Sequence, residues 1–270
     1  MNAVDYEAEY NNRARVPGHP AVMAGWVRDA AAWREKHPPR LLRYGPGERH
    51  SIDLFAGTGD GPLVVFIHGG YWQALDGSSF SHCARGLNAH GISVAVPTYD
   101  LCPAVSVGDI VTQMRMACRE LARLGHPLVV SGHSAGGHLA ACMLATDWPA
   151  FDASLAKNPV SAAYAISGLF DLPPLVGTSI NKALGLDAET ARAASPLFWT
   201  APVQGSLDAV VGADESAEYF RQSQSIVETW GRRIATRFGT IAGANHFTAI
   251  APLADPASPM VLRLKELARG

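Results

Sequence analysis

Short apolar runs recur along this chain, and most are followed by a longer stretch whose apolar residues fall at helical spacing. Leu63 to Ile67 is apolar without a break, as a strand covered on both faces requires. Further strands are predicted at Ser51 to Phe55, Ile92 to Val96, Leu128 to Ser131, Ala162 to Ser167, Asp208 to Val211 and Arg233 to Phe238. Helical patterns cover about Phe80 to Ala89, Val107 to Leu124, the residues after Ser134, Ser216 to Trp230 and Pro259 to Ala268. The first forty residues also read as helical: Asp5 to Asn12, then Ala21 to Lys36 with Val22, Trp26, Ala30 and Trp33 on one face. His37-Pro38-Pro39 stops that helix. Tyr44-Gly45-Pro46-Gly47 and Gly57 to Pro62 are turns. Strand–helix alternation predicts an α/β fold: a mostly parallel, doubly wound sheet with helices on both faces and right-handed connections.

The alternation fails between about Leu169 and Pro202. Pro173-Pro174 and Gly177 give way to short helical pieces at Ser179 to Leu184 and Ala188 to Ala194. An insertion there would sit over the carboxyl ends of the strands, where open α/β sheets bind ligands. The expectation is one domain spanning residues 1–270 with a small cap at about 169–202. There is no internal repeat or flexible linker.

One segment carries specific chemistry. The strand at Leu128 runs into Gly132-His133-Ser134-Ala135-Gly136-Gly137-His138, then into a small-residue helix. G-x-S-x-G between a strand and a helix lifts its serine out of the sheet edge on a strained corner. Ser134 is the candidate nucleophile. A hydroxyl needs a base to take its proton. His246, in Gly243-Ala244-Asn245-His246-Phe247 between the last strand and the last helix, is the only histidine beyond His138. An acid should follow the penultimate strand, where Asp214 and Glu215 compete. It would orient His246, fix its tautomer and stabilise the imidazolium. The oxyanion needs donors: the backbone N–H of Ala135, and one from the glycine-rich loop His68-Gly69-Gly70-Tyr71-Trp72. Gly70 and Tyr71 are the expected donors, Gly69 shapes the turn and His68 braces the loop. Tyr71, Trp72, Phe170 and residues of the 169–202 segment are candidate pocket walls, with a place in the core the equal alternative for Trp72, and His133 is a candidate lining residue.

Composition narrows the alternatives. The chain has 270 residues, 48% hydrophobic and 17% charged, with a net charge of −2. No basic stripe suggests nucleic acid, and no apolar run suggests a membrane span. Met1 to Tyr10 is polar and acidic, without a signal-peptide layout. Cys83, Cys102, Cys118 and Cys142 are scattered, and read as buried, reduced thiols of a cytosolic protein. His133 and His138 lack a carboxylate or cysteine at ligand spacing, so no metal is expected. No phosphate-binding glycine loop is present, so no nucleotide cofactor is expected either. The partner would be a small-molecule substrate. Apolar edge strands would also suit a homodimer.

At these residues the chain resembles an α/β-hydrolase of the H-G-G-x-W group, and most of all the kynurenine formamidase (arylformamidase) subgroup with its bacterial esterase relatives. His68-Gly69-Gly70-Tyr71-Trp72 matches the motif in full. Asp5-Tyr6, Tyr10 to Pro17, Tyr44 to Gly47 and Tyr99-Asp100-Leu101-Cys102-Pro103 resemble other segments of that subgroup, and His246-Phe247 its histidine loop. Aligning Arg221-Gln222-Ser223 with the subgroup puts Glu215 in the acid column, where many members carry Asp. The resemblance implies cofactor-free hydrolysis of N-formyl-kynurenine to kynurenine and formate. Relatives with the same motifs cleave aryl and short-chain esters, so a general carboxylesterase is the second expectation. A catalytically silent fold used for binding is the third.

Overall fold

The computed structural model describes residues 4–59 and 61–269. Eight strands form one sheet in the order β1-β2-β4-β3-β5-β6-β7-β8. They are β1 (Arg40–Arg43), β2 (Ser51–Phe55), β3 (Leu63–Ile67), β4 (Val94–Thr98), β5 (Leu128–His133), β6 (Val160–Ile166), β7 (Ser206–Gly212) and β8 (Ala235–Ile241). From β4 to β8 every pairing is parallel, whereas β1–β2 and β2–β4 are antiparallel. The predicted doubly wound sheet is therefore present, with an antiparallel flap on one edge. The sequence reading missed β1. It also placed β4 and β8 about two residues early.

The helices are α1 (Tyr6–Tyr10), α2 (Asn12–Arg15), α3 (His19–Lys36), α4 (Arg85–Asn88), α5 (Val107–Ala122), α6 (Ala135–Leu144), α7 (Trp148–Phe151), α8 (Asn181–Leu184), α9 (Ala188–Ala193), α10 (Ala217–Trp230) and α11 (Pro259–Arg269). The segment expected to be one helix over Phe80 to Ala89 is instead a 3-10 turn, Gly77–Ala84, running into α4. The predicted first helix is broken at Asn11, whose side chain accepts from the Ala14 N–H and starts α2.

Side chains alternate across the central strands, so the sheet splits the core into two layers. Leu63, Val65 and Ile67 pack with α5, α6 and α10, through Met114, Leu139 and Trp230 among others. Val64 and Phe66 pack on the opposite face with Trp26 of α3, Leu87 of α4 and Val261 and Leu264 of α11. Both faces of β3 are buried in apolar layers, which is why it is apolar at every position.

All ten residues of α6 are buried. Its glycines allow that depth. A Cβ on Gly136 would lie 1.9 Å from the Ile67 carbonyl oxygen of β3, and one on Gly132 would lie 2.2 Å from the Gly136 oxygen. Backbone cannot yield at either point. Gly136→Ala is thus expected to cost about 3 kcal/mol or more. Gly177→Ala, where nothing lies within 4 Å, should change little. Thermal melts of the two variants, side by side, check this; equal melting temperatures would contradict it.

The carboxyl ends of β3, β5, β6, β7 and β8 open into the loops that carry His68 to Leu75, Ser134, Ser167, Glu215 and His246. Residues distant in sequence therefore meet along one rim of the sheet.

Candidate active site

Ser134 sits at the corner between β5 and α6 with φ 57° and ψ −117°. A side chain pays strain in that left-handed region. The corner is held by the Ser134 N–H donating to the Ile166 carbonyl at 2.8 Å and by the His138 N–H donating to the Ser134 carbonyl at 3.1 Å. The Ser134 hydroxyl lies 3.1 Å from His246 Nε2, and His246 Nδ1 lies 2.7 Å from Glu215 Oε2. Serine, imidazole and carboxylate form one continuous hydrogen-bonded row.

Glu215, not Asp214, faces the imidazole. The Glu215 N–H closes a tight turn onto the Gly212 carbonyl at 3.1 Å, which aims its side chain back under the sheet edge. Its carboxylate is fully buried. Oε1 accepts from the Gly212 N–H at 2.8 Å and from the Ser167 hydroxyl, leaving Oε2 for His246. Asp214 is exposed, and its N–H donates to the Ala244 carbonyl. Ser167, itself at φ 51°, is a carboxylate support that the sequence reading did not single out.

The loop after β3 brings Gly69, Gly70 and Tyr71 beside the serine. A Cβ on Gly69 would lie 2.8 Å from the His133 carbonyl oxygen and 3.1 Å from Ser134 Cβ, so only glycine permits this approach. His68 Nδ1 donates to the Gly69 carbonyl at 2.7 Å. Because the peptide is trans, the Gly70 N–H must point the opposite way, off the His68 ring. His68 is stacked on Tyr99 at 4.2 Å and is fully buried. Among the described residues, the N–H groups of Gly70, Tyr71 and Ala135 donate to no protein acceptor. That of Ala135 is the first of α6, where no intrahelical partner exists.

Tyr71 and Trp72 both have left-handed backbones, at φ 50° and 56°. Anchors on either side hold them there. Tyr71 donates its hydroxyl to the Tyr10 carbonyl at 2.7 Å, and its oxygen also meets the Tyr219 hydroxyl at 2.7 Å. Trp72 is fully buried, with its ring edge-on to His138 and its carbonyl accepting from the Cys102 N–H. Of the two alternatives for Trp72, core and pocket wall, the structure therefore has the core: it is an anchor beneath the loop. Phe170 also fails as a wall. It is fully buried in the layer with α6 and α10, its N–H held by the Gln222 side chain at 2.7 Å. Large apolar side chains were correctly placed near the loops, but they point into the core.

A cavity of about 480 Å³ opens above Ser134 and His246, within the usual range for small-ligand sites. His133 lines it. Its apolar side comprises Met23, Trp26, Leu75, Phe80 and Phe247, with Trp26 5.3 Å from Phe80 and 6.1 Å from Phe247 between ring centres. Much of the cover is N-terminal: Tyr10, Asn11, Asn12 and Arg13 all line the cavity. From residues 169–202 only Ser179 and Ile180 reach it. The rest of that segment packs against α6 and α10, where His138 Nε2 donates to the Ala194 carbonyl at 2.7 Å and Arg221 pairs with Asp171. Asn12 is a site residue the sequence reading missed. It is buried, and its amide donates to the Tyr219 hydroxyl at 2.8 Å. Tyr219 in turn lies 4.7 Å from the His246 ring. Nothing local in sequence ties positions 12 and 219 to 246; only the fold does.

Burial holds three histidines neutral. It lowers His68 and His138 to about 4 and His133 well below its ordinary value, with the neighbouring His246 adding to the effect on His133. In the unfolded chain these groups take up protons near 6.5. Between about 6.5 and 4 the unfolded state therefore binds more protons, so stability falls as the pH falls. The melting temperature should decline across that window. A flat profile from pH 6.5 to 4.5 would contradict neutral burial.

These features have counterparts in known proteins. The family pattern described as the alpha/beta hydrolase fold matches residues 64–209. Kynurenine formamidase from Danio rerio is 30% identical over 78% of this chain and 75% of its own. The Drosophila melanogaster enzyme of the same name is 30% identical over 77% of this chain and 74% of its own. A crystal structure from Silicibacter sp. TM1040, provisionally called a thioesterase, superposes with a TM-score of 0.84 at 37% identity, covering 96% of this chain and 98% of that one. An esterase from Pyrobaculum calidifontis shares the fold, with a TM-score of 0.70 at 19% identity over 93% of this chain and 94% of that one. This chain belongs to the α/β-hydrolase fold family, in the branch that holds the kynurenine formamidases.

Proposed function

We propose that this protein is a serine hydrolase that cleaves aryl formamides, with N-formyl-kynurenine as its substrate and kynurenine and formate as products. The observation that carries the reading is the row from Ser134 through His246 to Glu215 at the floor of a cavity with an aromatic side. The names of the Danio rerio and Drosophila melanogaster relatives support the choice of substrate.

Ser134 attacks the formyl carbonyl as His246 Nε2 takes the hydroxyl proton. The Glu215 carboxylate, accepting from Nδ1–H, keeps Nε2 free as the base and offsets the imidazolium charge. The oxyanion forms against the N–H groups of Ala135 and of Gly70 and Tyr71. Removing one such donor typically costs about 2.7–4 kcal/mol of transition-state stabilisation. The imidazolium then protonates the leaving aniline nitrogen. Water, deprotonated by the same imidazole, releases formate from the acyl-serine. The aromatic ring of the substrate fits among Trp26, Phe80 and Phe247, while the formyl group needs no room beyond the serine. The N-terminal helices α1 and α2, with Ser179 and Ile180, act as the cover in this reading.

The same groups would hydrolyse an aryl ester, and the esterase neighbours keep a general carboxylesterase as the second reading. The ratio of kcat/KM for N-formyl-kynurenine to that for p-nitrophenyl acetate separates the two. Formamide turnover at or below background would end the first reading. A silent binding fold finds no support in an intact row of catalytic groups. Among the described residues no helix is long and apolar enough to cross a membrane. Four free, buried cysteines suit the cytosolic location proposed here.

A further inference from the structure

The cavity carries an uneven charge. Of its lining residues only Arg13 bears a fixed charge, and none is an aspartate or glutamate. Arg13 is exposed on α2, and among the described residues its guanidinium makes no ion pair and no hydrogen bond. The acids of the neighbouring α1 are already engaged. Glu7 accepts from the Ser179 N–H and hydroxyl at 2.7 and 2.8 Å and from the Asn11 amide at 3.0 Å. Glu9 accepts from the Glu218 N–H at 3.0 Å. The backbone beneath Arg13 is fixed, because Asn12 is pinned to the Tyr219 hydroxyl and Asn11 caps α2.

We propose that Arg13 is the specificity residue of this cavity and pairs with a carboxylate on the leaving-group side of an aryl substrate. A guanidinium presents a planar fork of donors that matches a carboxylate with two parallel bonds. Holding the helix while leaving the fork unpaired is a low-cost arrangement for capture, since little ordering is lost on binding. The inference rests on the formamidase reading, and it deepens that reading by naming the group that selects N-formyl-kynurenine over uncharged aryl formamides. The α-carboxylate of that substrate, at the far end of its side chain from the formamide, is the anion concerned. Arg13 touches no reacting atom, so its effect falls on KM rather than on kcat.

The test uses two substrate pairs that differ only in charge: N-formyl-kynurenine against its α-carboxamide, and 4-acetoxybenzoate against 4-acetoxybenzamide. Wild-type protein is expected to prefer the carboxylate in each pair by about tenfold in kcat/KM, through KM, and less at high salt. Arg13→Gln should bring both ratios close to one. Arg13→Lys should restore part of the preference, as a point charge without the fork would. Ratios that stay at the wild-type value in Arg13→Gln would overturn the proposal. Turnover of the ester pair without turnover of either formamide would defeat the formamidase reading alone, because the ester ratios still report on Arg13. Turnover of the formamides with ratios unmoved by Arg13→Gln would defeat the Arg13 proposal alone.

Discussion

Ser134→Ala and His246→Ala are each expected to lower kcat/KM by about 10^5- to 10^6-fold, and the double variant by no more than either alone. The hydroxyl and the imidazole act as one unit across 3.1 Å, so removing either half removes the nucleophile. What remains is the pull of the free N–H groups on a bound carbonyl. Folding should survive the serine change. Alanine at φ 57° carries much the same strain as serine, and the lost oxygen faces the cavity rather than a packed neighbour. The folding stability of Ser134→Ala should therefore lie within about 0.5 kcal/mol of wild type. Steady-state kinetics with a circular-dichroism melt give both numbers. A variant that keeps a tenth of wild-type turnover would remove Ser134 or His246 from the chemistry.

Glu215→Gln is expected to reduce kcat by about 10^4-fold, and Asp214→Ala by less than about twofold. The argument is one of tautomers. The amide oxygen of glutamine would stay with the Gly212 N–H and the Ser167 hydroxyl, because both need an acceptor. Its NH₂ would then face His246 Nδ1 where a carboxylate oxygen stood at 2.7 Å. To accept from it, Nδ1 must give up its proton, and the proton moves to Nε2. Nε2 can then no longer take the hydroxyl proton from Ser134. Volume and burial are nearly unchanged, so the loss would be chemical and not structural. Asp214 is exposed and its side chain makes no hydrogen bond among the described residues. Comparable losses in the two variants would refute the assignment of Glu215.

The contrast between these neighbours shows what sequence can and cannot specify. The elbow was legible because its demands are local: a strand, a forced corner and glycines against which any Cβ would collide. The apolar runs Leu63–Ile67 of β3 and Leu128–Val130 of β5 were legible because both faces of these segments are buried. Periodicity does not separate Asp214 from Glu215; the resemblance favours Glu215, and the direction of one tight turn at Gly212 is the physical reason that it faces the imidazole. The flap strand β1 was missed because Arg40-Leu41-Leu42-Arg43 needs only one neighbour and leaves Leu41 exposed. Trp72 and Phe170 show that size predicts burial but not direction. The cavity cover was the largest gap. The segment at 169–202 has the composition of a cap, yet its leucines and the His138–Ala194 bond draw most of it down onto α6. The walls come instead from Asn11, Asn12, Met23 and Trp26, which reach the rim from the opposite end of the chain.

The central claim is that Ser134 Oγ forms the covalent bond to the acyl group. Treating the protein with an aryl fluorophosphonate and mapping the modified peptide by mass spectrometry tests it most directly. One adduct on Ser134, formed in step with loss of turnover and slowed by about 10^4-fold or more in His246→Ala, is the predicted result. Full inactivation with the adduct on another residue, or hydrolysis that continues while Ser134 is fully modified, would contradict it.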